Sequence, residues 1–141
     1  MKDLIRKILR EYQEEQEKIL VVPSLEYFND DWNSLQSFLE KKGNPKWRTG
    51  GDLNLYRTPI ESLGNLISVG GNLNLYGTSI KSLGNLTSVG GYLTLHYTPI
   101  ESLGNLTTVG GYLNLGNTPI SRKYTEKKIR QMVNVEGEIF M

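Results

Sequence analysis

The chain has 141 residues, enough for one domain, with a formal net charge of +1 and no cysteine. The near-neutral balance speaks against duplex DNA as a partner, since that usually needs a basic surface. Lack of cysteine excludes disulfides, thiolate nucleophiles and Cys-based zinc sites, and a single histidine, His96, excludes a multi-histidine metal site.

In chain order, residues 2–19 read as an amphipathic helix, with Leu4, Ile5, Ile8, Leu9, Tyr12 and Ile19 recurring at helical spacing. Its charges run against the helix dipole: Lys2, Arg6, Lys7 and Arg10 come early, and Glu11, Glu14, Glu15 and Glu17 come late. The i,i+4 pairs Lys7–Glu11, Arg10–Glu14 and Glu14–Lys18 offset part of that cost. Such a helix needs a packing partner: its own domain, another protein, or a second copy through residues 2–19. A membrane surface fits poorly, because the polar face carries both signs.

The longest apolar run, "ILVV" at 19–22, is too short to span a bilayer, and the N-terminus has no secretory h-region. These features point to a cytoplasmic location, so the "NLT" sequons at Asn85 and Asn105 read as by-products of an internal repeat. Residues 30–42 predict a second helix, capped by Asn29 or Asp30 and ended by Gly43 and Pro45. Trp32, Leu35, Phe38 and Leu39 form its inward stripe. With the first helix it makes an N-terminal region, 1–48, that covers one end of the repeat region.

From residue 49 to 120 the sequence repeats every 20 residues. The rows Leu53/Leu73/Leu93/Leu113, Leu55/Leu75/Leu95/Leu115 and Ile60/Ile80/Ile100/Ile120 are invariant. Leu63, Leu66, Val69 and their equivalents complete the apolar set. The L-x-L alternation is a short strand with both leucines on one face. The Gly-Gly and Gly-Asn pairs read as corners, often with positive φ. A unit of this size cannot close a core alone, so neighbours must stack and both ends need caps.

The C-terminal region, 121–141, supplies the second cap. "VEGEIFM" (135–141) aligns with "VGGYLTL" (89–95), which puts Val135, Gly137, Ile139 and Met141 on the Val, Gly and Leu rows. A final strand is therefore expected at 138–141. A helix is expected at 125–133, with Tyr124, Ile129, Met132 and Val133 facing inward. The three regions read as one folded unit.

The repeat, V-G-G-x-L-x-L-x-x-T-x-I-x-S-L-G-N-L, resembles the leucine-rich repeat, with some flavour of receptor L domains. Thr58, Thr78, Thr98 and Thr118 stand where that family usually has asparagine, and an extra glycine precedes the L-x-L pair. The resemblance implies an α/β solenoid: a right-handed superhelix with a short parallel sheet of about five strands between helical caps. It also implies that the threonines point inward and hydrogen-bond the turn backbone, against an ice-binding use of the column. A likeness to small leucine-rich-repeat proteins of bacteria and their phages extends to an accessory role in an assembly, or to inhibition of a host protein.

Chemistry is best sought on the outward strand positions. They form four rows: Asp52, Asn72, Tyr92, Tyr112, Glu138; Asn54, Asn74, Thr94, Asn114, Phe140; Tyr56, Tyr76, His96, Gly116; and Arg57, Gly77, Tyr97, Asn117. Two aromatic clusters should form, Tyr56/Tyr76 continued by His96, and Tyr92/Tyr112. Rigid aromatics beside adaptable amides resemble a binding paratope, although Tyr and Thr are also good strand residues that stack on their neighbours.

The candidate partner-binding residues are Asn54, Tyr56, Arg57, Asn74, Tyr76, Tyr92, Thr94, His96, Tyr97, Tyr112 and Asn114. The expected function is a non-enzymatic module that takes a protein or peptide on this face, with no cofactor, metal, nucleic acid or membrane. The competing readings are an accessory subunit docked through the terminal helices, and an enzyme built on His96 with a nearby acid. No P-loop, dinucleotide fingerprint or HExxH motif occurs. The column Glu61, Lys81, Glu101 alternates in sign, which avoids like-charge neighbours and sets register.

Overall fold

The L-x-L rows form a five-stranded parallel sheet, and the residues ahead of each glycine doublet form a second one. The computed structural model describes residues 2–141, leaving aside the side chains of residues 14–17. The expected pairs of Glu14 with Arg10 and Lys18 lie outside the described residues.

Among the described residues eleven strands form the two sheets and, from β2 onward, alternate between them. One sheet, of six strands, comprises β1 (Leu20–Val22), β2 (Trp47–Thr49), β4 (Leu66–Val69), β6 (Ser88–Val89), β8 (Thr108–Val109) and β10 (Asn134–Val135). The other, of five, comprises β3 (Leu53–Asn54), β5 (Leu73–Asn74), β7 (Leu93–Thr94), β9 (Leu113–Asn114) and β11 (Ile139–Phe140). All pairings are parallel, and Leu53, Leu73, Leu93, Leu113 and Ile139 stand side by side. The chain is thus an α/β protein with two sheets where the sequence reading has one. The second sheet's repeat strands, such as Ser88–Val89 and Thr108–Val109, bury a single valine each and have no L-x-L pair to mark them.

Between the sheets lies one apolar core. The leucines of the five-stranded sheet, Ile60, Ile80, Ile100 and Ile120, and the Val69, Val89 and Val109 row are all buried. Thr78, Thr98 and Thr118 are buried too, and each Oγ1 donates to the carbonyl three residues earlier: Leu75, Leu95 and Leu115, at 2.9, 2.7 and 2.6 Å. A buried hydroxyl needs such an acceptor, so these three face inward as expected, while Thr58 of the first unit is half-buried. The Glu61, Lys81 and Glu101 column is exposed.

The glycine doublets connect one sheet to the other, and their role differs from the expectation. Gly64, Gly84 and Gly104 of the Gly-Asn pairs do have positive φ, 62°, 55° and 56°. None of the doublet glycines does. A Cβ on Gly70, Gly90 or Gly110 would instead collide with the carbonyl oxygen of Gly50, Gly70 or Gly90. The doublets are glycine because backbone abuts backbone from one unit to the next. Gly90 N–H donates to Val69 O at 2.8 Å and Gly91 N–H to Gly71 O at 2.9 Å, so the corners are hydrogen-bonded as well.

Helix α2 (Trp32–Lys41) follows a 3-10 turn, Leu25–Phe28. Its cap is Asp31, whose Oδ1 accepts from Asn33 N–H at 3.3 Å. Asn29 and Asp30 are not the cap: both take left-handed φ of 55° to leave the 3-10 turn. Trp32, Leu35 and Leu39 are buried, and Trp32 meets Trp47 of β2 with ring centroids 5.9 Å apart. Gly43, with φ of 85°, ends the helix region.

At the other end a short helix α3 (Pro119–Lys123), capped by Thr118, precedes α4 (Glu126–Met132), capped by Thr125. Ile129 and Val133 are buried and Tyr124 packs on the core, whereas Met132 is exposed, a correction to its expected inward place. Strand β11 takes the expected register, but Met141 is exposed rather than part of the Leu row. Arg130 ties this end together: Nη1 donates to Val135 O at 2.9 Å and Nη2 to Gly137 O at 3.0 Å.

Helix α1 (Lys2–Glu17) forms as expected. It does not bury its stripe on the chain's own domain, however. Leu4, Ile5, Ile8, Leu9 and Tyr12 are 50% to 64% exposed.

Candidate functional site

The outward face of the five-stranded sheet carries the candidate residues on strands at a spacing of about 4.8 Å. Parallel, in-register pairing puts equivalent side chains one above another, so aromatic rings in one row must stack. Tyr56 and Tyr76 do so at 5.1 Å and 22°, and Tyr92 and Tyr112 at 4.8 Å and 2°. His96 continues the first stack, 5.4 Å from Tyr76. Two further rings join. Tyr97 meets Tyr76 edge-on at 5.5 Å and His96 at 4.3 Å, and Phe140 meets Tyr112 edge-on at 5.6 Å. Arg57 lies over Tyr56, its guanidinium carbon 5.5 Å from the ring centroid.

Exposure divides the set. Tyr56 (52%) and Tyr97 (56%) stand clear, as do Arg57 and Asn54, whereas Tyr112 (36%) is partly covered by its neighbours. Tyr76, Tyr92, His96, Asn74 and Asn114 are half-buried among their neighbours. Thr94 is buried, so its expected place as a contact residue is corrected: the rungs on either side cover it.

The amides of the second row already have structural work. Oδ1 of Asn54, Asn74 and Asn114 accepts from the N–H two residues on, of Tyr56, Tyr76 and Gly116, at 3.1, 3.0 and 2.9 Å. This local turn explains asparagine after the second strand residue. In the first row, Asp52 Oδ1 accepts from Asn72 N–H at 2.7 Å and Asn72 Oδ1 from Tyr92 N–H at 2.9 Å. These bonds link one unit to the next.

His96 is held by amides, not by a carboxylate. Asn114 Nδ2 is 3.4 Å from its Nδ1 and Asn117 Nδ2 is 3.0 Å from its Nε2. Because Asn114 Oδ1 is committed to Gly116 N–H, its nitrogen faces the ring, and His96 Nδ1 is the acceptor. Gly116 leaves room for this arrangement: a Cβ there would stand 3.4 Å from His96 Cε1. Sequence reasoning found the ring and missed Asn117, whose only signal was its place at the strand exit.

The strand-exit row also shows unusual backbone. Arg57, Gly77, Tyr97 and Asn117 all have left-handed φ, 55°, 70°, 58° and 54°. Gly and Asn suit that region, and Arg and Tyr do not.

No family model matches the chain, and neither does any curated protein or solved structure.

Elsewhere, an open groove of about 430 Å³ runs along the six-stranded sheet, between Arg48 and Glu136, over Ser68, Ser88 and Thr108. Among the described residues there is no group of three His, Cys, Asp or Glu that could hold a metal ion. Also among the described residues, no helix is long and apolar enough to cross a membrane.

Proposed function

We propose that the protein is a non-enzymatic interaction module that binds a protein or peptide through the rings and Arg57 on the five-stranded sheet. The observation that carries this reading is the left-handed backbone at Arg57 and Tyr97. Each costs roughly 1–2 kcal/mol relative to a relaxed conformation. Glycine or asparagine would remove that cost, and both occur in the same row. Retaining a large exposed side chain at strained backbone is accounted for by a use on the surface.

The stacked rings support a peptide over a sugar as partner. Tyr76 lies between Tyr56 and His96, so its faces are occupied and its edge and hydroxyl are left for contact. Sugars pack on free ring faces, whereas a peptide can use edges and hydroxyls. In this reading the architecture is a leucine-rich-repeat solenoid with helical caps, supported by the register of 20 residues between paired leucines, and the setting is cytoplasmic. A second reading, an accessory subunit docked through its terminal helices, is favoured by the exposed stripe of α1.

The test compares two triple variants against whatever partner the native source yields. Tyr56→Ala, Arg57→Ala and Tyr97→Ala together should lower affinity by at least about 100-fold, since buried aromatic or Arg contacts commonly contribute about 2 kcal/mol each. Glu61→Ala, Lys81→Ala and Glu101→Ala should bind normally. If the second triple loses the partner and the first retains it, the strand face is not the site.

A further inference from the structure

We propose that α1 is a self-association element: two copies of the chain pair their α1 helices antiparallel through Leu4, Ile5, Ile8, Leu9 and Tyr12. The proposal is independent of the strand-face reading.

The first observation is exposure. These five side chains form a continuous stripe along a 16-residue helix, and every one is at least half exposed. Only Lys18 and Ile19 separate the helix from β1, the edge strand of the six-stranded sheet. An isolated helix of this length is marginal in water, and this one also carries its charges against its own dipole. A partner must supply what the chain itself does not.

The second observation, charge order, says which partner. Apart from Asp3 the first half is basic, with Lys2, Arg6, Lys7 and Arg10, and an acidic run starts at Glu11. A parallel pair would place like charge on like charge along the whole helix. An antiparallel pair places each basic half on an acidic half, and the two macrodipoles oppose as well. A crossing near Ile8 and Leu9 brings Lys7 of each copy within reach of Glu11 of the other. Both stripe and charge pattern are thus self-complementary under a two-fold axis, which is what an isologous interface requires. An anionic membrane is a poorer fit, because the acidic half would be repelled.

The experiment is sedimentation of the full chain over a concentration series. The wild type should move from the monomer mass of 16.0 kDa to about twice that value. Ile5→Asp with Leu9→Asp should stay monomeric, with its thermal transition unchanged because α1 lies outside the core. Lys7→Glu alone and Glu11→Lys alone should each weaken the dimer about tenfold or more. Mixing those two chains should restore it, because each glutamate at position 7 then faces a lysine at position 11. A wild type that remains at 16.0 kDa at high concentration overturns the proposal. So does a dimer that survives Ile5→Asp with Leu9→Asp, or a mixture that pairs no better than its components.

Discussion

Tyr92 and Tyr112 are 20 residues apart in the chain, yet their ring centroids are 4.8 Å apart and their planes are within 2° of parallel. They precede Leu93 and Leu113, which pair in register, so the ring separation is the strand spacing itself. Burial, and then the neighbouring Tyr92 phenol, push the Tyr112 hydroxyl above its ordinary range.

A pH dependence results from that shift. The unfolded phenol ionises near pH 10, while the folded one holds its proton to higher pH. Above about pH 10 the unfolded state therefore binds fewer protons, and stability falls as pH rises. The contribution is fully present below that point and is lost through the folded pKa. Urea midpoints at about pH 8 and pH 11 should fall for the wild type and fall less for Tyr112→Phe. An equal decline in both would show that other groups carry the alkaline sensitivity.

Glycine doublets give a sharper test of how the units stack. Gly90→Ala drives a Cβ into the Gly70 carbonyl, backbone against backbone, and should cost about 2–3 kcal/mol or prevent folding. Gly50→Ala has open space at the same step of the repeat and should change stability by less than about 1 kcal/mol. Comparable midpoints in denaturant would contradict the close approach.

Tyr97→Gly separates strain from use. Relief of left-handed backbone should return about 1 kcal/mol. Loss of the ring contacts with Tyr76 and His96 should remove a similar amount. Net stability should therefore shift by less than about 1 kcal/mol, while affinity for a strand-face partner drops roughly 30-fold. A folded variant that binds as tightly as wild type would assign the strain no role.

Removal of residues 135–141 should be severe although they form the end of the chain. Val135 and Ile139 leave the core, both sheets lose their last strand, and Arg130 loses its two carbonyl acceptors. The exposed edges of β8 and β9 then become templates for other chains. Light scattering and thermal melting should report aggregation at a lowered transition. Arg130→Ala alone should cost only about 1 kcal/mol, because its side chain is 41% exposed.

Features fixed by the 20-residue period were readable from sequence. The leucine rows and the Tyr92/Tyr112 stack derive from register alone, while the strand at Ile139–Phe140 was legible from the likeness of "VEGEIFM" to "VGGYLTL" and the inward threonines from the resemblance of the repeat. Features set by what a side chain meets after folding were not. Asn74 read only as a surface residue, and its use as a turn acceptor went unseen. Thr94 looked exposed and is covered. Met132 and Met141 have apolar side chains but sit where the core has already closed. The Leu20–Val22 strand read only as an apolar run, because its partner Trp47–Thr49 lies outside the repeat.

Gly70, Gly90 and Gly110 also constrain how a chain of this kind can change length. Between the glycine doublet and the leucine row an insertion survives only as a whole 20-residue block, whereas the return segment of the last unit takes six extra residues, folded as α3 and α4, without loss of register. One residue more or fewer within a leucine strand would turn its side chains to the other face, whereas the bulge at Trp47/Arg48 absorbs such a step at the edge of the repeat. Duplication or loss of complete blocks is then a tolerated route of variation. Each block gained extends the outward face by one strand width, about 4.8 Å, with a fresh set of free positions at its surface.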